Sequence, residues 1–232
     1  EMTIRYKPDV VSMDINMPSI VSNVRNNQPG IIVVDRGCGQ FEDYLTPEYE
    51  IPPDPLGVPF EVVRAIGPYW GHVPGMYYYH PDTLVHTLIE VVAKGGNLLY
   101  GLGPDEFGQL DTACYDRLQR MGNWINVNSE AIYETTNINP YRYQNVFFTS
   151  KKDTVFAIYI AYDNQQTLPS QINWGAIKPK NGTNVYLLGY NQPLSWSTSS
   201  SGITTVDIPP HLQQNPPCLH AWSFKFTKAR IR

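Results

Sequence analysis

Three side chains able to do bond chemistry occupy places where a folded α/β chain would expose them. Asp14 closes the stretch YKPDVVSMD at residues 6–14, Arg36 follows the β-branched run 31–34, and Glu48 lies in TPEYE at residues 46–50. Two carboxylates and a guanidinium could serve acid–base or nucleophilic catalysis. In parallel sheets and barrels, the C-terminal ends of strands carry such groups. Asp14 has a second, purely structural reading, because aspartate is a preferred N-cap and a short helix over Ser19 to Asn27 is expected to follow it.

The elements that would position these groups are visible as patterns. Val10 and Val11 are β-branched and follow Pro8, which favours an extended Lys7, and the opening residues read directly into this strand. The short apolar run suits a strand buried on both faces. Ile31 to Val34 make a second strand. A Gly-, Pro- and acid-rich stretch from Gly37 to Pro59 has no helical period, and irregular loops of that length are usually functional. Leu84, Leu88, Val91 and Val92 recur at helical spacing after Pro81-Asp82 and before Gly95-Gly96, so a helix is expected there. Asn97 to Gly101 reads as another buried strand. Cys114, Leu118, Met121 and Ile125 mark one face of a second helix. This strand–helix alternation is the rhythm of a parallel α/β structure.

From Val146 onward the pattern changes to strands and turns. Val155 to Ile160, Val185 to Leu188 and Thr204 to Ile208 are strands, and Trp222, Phe224 and Phe226 alternate with Ser223, Lys225 and Thr227 as in a strand with one wet face. The expected organisation is α/β plus all-β: residues 1–139 as a parallel α/β part, which the resemblance given below makes the C-terminal half of a (β/α)8-type barrel, and residues 140–232 as an antiparallel β-sandwich.

Composition narrows the class. The 232 residues are 42% hydrophobic and 16% charged, which suits a folded chain, and the net charge of −4 without a basic block argues against nucleic acid. No apolar run reaches the roughly 20 residues a membrane helix needs, and no signal peptide is visible. Cys38, Cys114 and Cys218 are too widely spaced for a zinc motif or a disulfide framework, so their pairing stays open. No metal or other cofactor is expected, and the Gly-rich pieces lack a Walker lysine and the dinucleotide pattern. Asn181-Gly182-Thr183 is an N-glycosylation acceptor, and also a turn.

The α/β part resembles the second half of the catalytic barrel of the retaining α-L-fucosidases, a glycoside hydrolase family. The resemblance rests on YKPDVVSMD, VVDRG, TPEYE, AIGPYWG, VVAKGGNLLYGLGP and WINVNSEAIYET; the last two are the most specific. The stretch from FFTSKKDTVFAIYI onward is similar to the C-terminal domain of the animal lysosomal members. The resemblance implies Asp14 as nucleophile, Glu48 as general acid/base, Arg36 as an electrostatic partner of the carboxylates, and Trp70 as an aromatic platform for the methyl-bearing face of fucose. One carboxylate would stand on a rigid strand and the other on a mobile loop, and burial would keep the acid protonated. It further implies a fucosylated glycan as substrate, a lysosomal or secreted setting, possible homo-oligomers, and a partner: the N-terminal half of the barrel, without which strand edges and an apolar face stay uncovered.

The sequence also departs from the family. Ser12 and Ile15 stand where tryptophan and glycine are usual, Val34 and Gly37 flank Asp35-Arg36, Phe60 replaces a tryptophan, and the turn reads Gly101-Leu102-Gly103-Pro104. Altered pocket walls fit a changed substrate, or a fucose-binding lectin or structural glycoprotein that does not cleave. Glu61 and Arg64 suit a scaffold ion pair as well as a substrate contact. Glu42, Asp43 and Glu50 read as solvated. His86 reads as packed, His211 and His220 as remote, and His72 and His80 border Tyr77-Tyr78-Tyr79, a rim or a covered surface.

Overall fold

The computed structural model of the chain describes residues 2–12, 14, 18–34, 36, 42–161 and 165–228. Ile15, Asp35, Gly37 and Cys38 lie outside the described residues. The chain forms two compact units, residues 1–64 with 95–99, and residues 65–94 with 100–232.

The first unit opens with a helical turn, α1 (Met2–Arg5), not with a strand. Tyr6 N–H donates to the Met2 carbonyl at 2.9 Å. The chain then turns through Lys7, whose φ of 48° is left-handed and not the extended conformation that Pro8 favours. The corner has to redirect the backbone from a helical turn into a strand within a few residues. It is fastened by the Gln28 side-chain amide, which donates to the Pro8 carbonyl at 2.7 Å.

Strand β1 (Val10–Ser12) and strand β2 (Ile32–Val34) pair in parallel across α2 (Pro18–Asn27), with Val10 opposite Ile32, Val11 opposite Val33 and Ser12 opposite Val34. Val11 and Val33 pack with Val21, Ile31 and Val24. β1 is not buried on both faces. Val10 and Ile32, partners in register, are 46% and 41% exposed, because α2 covers only the face that carries Val11 and Val33.

Parallel pairing continues along the chain. Val34 bridges Tyr44, Leu45 bridges Phe60, and Glu48 bridges Val63 within β3 (Glu61–Ala65), which itself pairs with β4 (Asn97–Gly101). The long Pro- and acid-rich stretch is therefore threaded between strands where it is described. β4 is less buried than expected, with Leu99 exposed. Phe60 is a core residue: its ring fills the space beside Gly96, where a Cβ would come within 2.3 Å of it.

In the second unit, α3 (Pro81–Ala93) and α4 (Thr112–Asn128) form where periodicity places them. α3 buries Val85 and Ile89 as well as Leu84, Leu88 and Val91, since it packs against both α4 and the sheet behind it. Trp124, outside the expected stripe of α4, is fully buried and donates its indole N–H to the Ala221 carbonyl at 2.8 Å.

Among the described residues nine strands follow: β5 (Thr136–Tyr143), β6 (Val146–Lys151), β7 (Thr154–Ile160), β8 (Gln171–Trp174), β9 (Val185–Leu187), β10 (Pro193–Leu194), β11 (Trp196–Thr198), β12 (Thr204–Asp207) and β13 (Ala221–Thr227). They make an antiparallel six-stranded sheet ordered β10-β9-β13-β7-β6-β5 and an antiparallel three-stranded sheet ordered β11-β12-β8. Phe148, Trp174, Val206, Trp222 and Phe224 share the core between them. The expected change of pattern near residues 139–143 falls inside β5. The second face of β13 is wet only in part: Ser223 is fully buried, because α3 and α4 lie across that side of the sheet, whereas Lys225 and Thr227 are half-buried. Asn181 and Gly182, with Gly182 at φ 77°, form an exposed turn closed by Thr183 N–H to the Lys180 carbonyl at 3.1 Å.

Candidate active site

Asp14 and Arg36 meet just past the ends of β1 and β2. Ser12 and Val34 are partners, and two further residues along each chain arrive at Asp14 and Arg36. Arg36 Nε lies 3.5 Å from Asp14 Oδ1. The same guanidinium donates through Nη2 to Glu48 Oε2 at 3.0 Å. One cation thus faces two carboxylates, and all three sequence-chosen groups meet in the first unit.

The arginine is the sheltered member, its side chain 21% exposed, against 81% for Asp14 and 41% for Glu48. The burial expected for Glu48 is absent among the described residues. Its backbone is not loose either. Glu48 bridges Val63, Val63 N–H donates to the Pro47 carbonyl at 3.0 Å, and Tyr49 N–H donates to the Val63 carbonyl at 2.9 Å. Tyr49 sits at φ 60°, a left-handed conformation costly for a bulky residue, and its ring lies 6.0 Å from the Arg64 guanidinium. The sharp turn at Tyr49 ends the strand-like run so that Glu48 is presented at its tip.

Sequence reasoning missed the latch that carries the chain from β2 toward Glu48. Asp43 accepts from Arg25 Nη2 at 3.0 Å on both oxygens and from Val33 N–H at 2.7 Å, while Asp43 N–H donates to the Val33 carbonyl at 2.8 Å. The Val33 bond, assisted by Arg25, holds the Asp43 carboxyl below the usual carboxylate range. Nothing in an acid-rich loop distinguishes such a latch from a solvated carboxylate. Burial raises the pKa of Glu61, but Glu61 stands at the entry of β3, the opposite end from the one that presents chemistry.

The remaining candidates lie in the second unit. Trp70 is 40% exposed and its ring rests on the β4 end, where a Cβ on Gly101 would come within 2.7 Å of it. Gly103 lies against the backbone of Gly71 and His72 at 2.4 Å from where its Cβ would be, so the 101–104 turn admits no side chain there. In the tyrosine run, Tyr77 is exposed with its ring edge-on to Tyr79, whereas Tyr78 is buried and donates to Asp111 Oδ2 at 2.8 Å. His72 Nε2 is 3.3 Å from Asp111 Oδ1. Burial is the main cause that pushes the Tyr78 hydroxyl up. His86 Nε2 donates to the His220 carbonyl at 2.8 Å, and the His220 ring bonds to Asp82, so these histidines tie α3 to the sandwich. Among the described residues no group of three His, Cys, Asp or Glu side chains could hold a metal ion.

Comparison with known proteins shows the family. The alpha-L-fucosidase family profile matches residues 1–130, and that of the alpha-L-fucosidase C-terminal domain matches residues 139–227. The chain is 39% identical over 152 residues to an alpha-L-fucosidase of Branchiostoma floridae, covering 62% of this chain and 32% of that protein. It is 26% identical over 249 residues to human tissue alpha-L-fucosidase, covering 96% and 52%. Among solved structures it superposes on alpha-L-fucosidase isoenzyme 1 of Paenibacillus thiaminolyticus with a TM-score of 0.81 at 21% identity, covering 96% of this chain and 58% of the other. The Thermotoga maritima alpha-fucosidase gives 0.78 at 24%, covering 96% and 54%. These matches span from about a third to little more than half of each relative's length. Through residues 1–130 and residues 139–227, this chain belongs to the alpha-L-fucosidase family.

Proposed function

We propose that this chain supplies the nucleophile, the acid/base and their shared arginine to a retaining exo-α-L-fucosidase that removes terminal α-L-fucose from glycoconjugates. The observation that carries the reading is Arg36, within 3.5 Å of Asp14 and bonded to Glu48. Asp14 attacks the anomeric carbon as the bond to the leaving oxygen breaks, and Glu48 gives that oxygen its proton. Glu48 then takes a proton from water, whose oxygen displaces Asp14 from the sugar. Trp70, with its exposed ring, supports the apolar face of fucose.

The partner in this reading is the N-terminal half of a (β/α)8 barrel, whose second half is the parallel succession from β1 to β4. Val10 and Ile32, exposed side by side, are the apolar surface it would cover. It would also enclose Asp14 and Glu48 and so provide the burial that an acid/base carboxyl needs. A lysosomal or secreted setting, with a glycan on the exposed Asn181, accords with relatives named plasma and tissue alpha-L-fucosidase.

A second reading, a fucosidase-like lectin that binds without cleaving, draws on the 81% exposure of Asp14. Turnover of a chromogenic fucoside by the intact full-length protein separates the two. Asp14→Asn should lower turnover by about 10³-fold or more while the melting temperature stays unchanged. Fucose binding without turnover by the wild type would establish the lectin instead.

A further inference from the structure

The face of the six-stranded sheet that α3 and α4 cover is dry along most of its extent, with Thr149, Phe156 and Ser223 buried. The cover ends at the 3-10 turn Ser129–Ala131, and there the sheet face emerges at Tyr186 of β9 and Lys225 of β13, partners across the two strands. Between that turn and the turn after β9 runs an open cleft of about 640 Å³, lined by Glu130, Tyr186, Lys225, Tyr190 and Asn191 and the segment 187–189. Its volume is within the range of small-molecule sites.

The cleft is held in shape without a ligand. Tyr190 N–H closes the turn on the Leu187 carbonyl at 3.0 Å, and Leu188 N–H bonds to the Ser223 carbonyl at 2.9 Å. Gly189, at φ 82°, is clamped, because a Cβ there would come within 2.8 Å of Val127 and 2.7 Å of Pro217. Lys225 Nζ is paired with Glu130, and Asn184 donates to the Tyr186 hydroxyl at 2.9 Å. The floor therefore offers a fixed aromatic ring, and the rim offers an ammonium, a carboxylate and an exposed amide whose formal charges cancel.

We infer that this cleft is a second carbohydrate site, taking a neutral pyranose unit of a glycan. An aromatic ring suits the C–H face of a sugar, and an amide with a paired acid and base suits vicinal hydroxyls, which both donate and accept. A phosphate or an acidic sugar would meet Glu130, and a purely apolar ligand would leave the charged rim unsatisfied. The lining belongs wholly to the second unit, whereas Asp14, Arg36 and Glu48 belong to the first.

The test uses the intact full-length protein and the neutral, fucose-free disaccharides lactose, mannobiose and chitobiose, with binding read by saturation-transfer NMR. At least one should bind the wild type, and Tyr186→Ala and Asn191→Ala should each weaken it about tenfold, as loss of a stacking face or a rim bond would. Tyr186→Phe should retain binding, since the ring remains. Chromogenic fucoside turnover and melting temperature should stay level in all three variants, so failure here is distinct from failure of the catalytic reading. Asn191 is exposed, so its variant tests the cleft even if Tyr186→Ala unfolds. No transfer from any of the three sugars, or equal binding by wild type and Asn191→Ala, overturns the inference.

Discussion

Arg36 Nε lies 3.5 Å from Asp14 Oδ1, just past the paired ends of β1 and β2. Each stands two residues beyond a strand end, Asp14 past Ser12 and Arg36 past Val34, and those two ends are partners in the parallel pair. Arg36 also reaches Glu48. Its loss should therefore be felt by both carboxylates. In the intact protein, Arg36→Ala should lower kcat/KM for a chromogenic fucoside by about 10²- to 10³-fold, the usual cost of removing a preorganised charged donor. Arg36→Lys should be impaired as well, because an ammonium lacks the planar fork that meets two partners at once. Activity within twofold of wild type, on the order of 0.4 kcal/mol, would remove Arg36 from the site.

The Phe60 ring occupies the space beside Gly96. Gly96→Ala should destabilise the protein by about 1–3 kcal/mol, the range for overpacking a filled core, measured by denaturant unfolding. Gly30, beside which a Cβ would meet nothing within 4 Å, is the control, and Gly30→Ala should be close to neutral.

His86 gives the second unit a dependence on pH. Burial holds its imidazole below the usual value, outweighing the Asp82 charge and the bond to the His220 carbonyl that favour the charged form, while His220 and His80 reinforce the shift. The folded protein thus keeps His86 neutral at a pH where the unfolded chain takes up a proton. Its contribution to stability is complete above the ordinary histidine value of about 6.5 and is lost as the pH falls below it. Between pH 7.5 and 5, denaturant unfolding should show a larger loss of stability in the wild type than in His86→Gln, whose amide can still donate to the His220 carbonyl. Parallel losses in the two proteins would contradict this assignment.

Much of the architecture was legible in residue patterns, and the exceptions have physical causes. α3 and α4 follow from apolar spacing, which local sequence encodes. Trp124 escaped because its partner, the Ala221 carbonyl, lies 97 residues away. Ser223 and Lys225 read as a wet face because nothing in β13 itself reveals that helices cover Ser223 and stop short of Lys225. Asp14, Arg36 and Glu48 were singled out from the strand end, the turn and the family resemblance, but that they converge shows only once β1 and β2 are paired. Register in a parallel pair is set by packing across α2, not by any local signal. TPEYE looked like a free loop because its bridge to Val63 is invisible until β3 is placed. Phe60, read as a change in the pocket wall, belongs to the core, which only its contact with Gly96 shows.

The most direct measurement of the central claim is covalent trapping. The intact full-length protein would be incubated with 2-deoxy-2-fluoro-α-L-fucosyl fluoride, whose fluorine slows hydrolysis of a glycosyl-enzyme, and then digested for peptide mass spectrometry. The account predicts one fluorofucosyl adduct, on the Asp14 carboxylate, absent from Asp14→Asn. An adduct on any other residue, or turnover of a fucoside undiminished in Asp14→Asn, would contradict it.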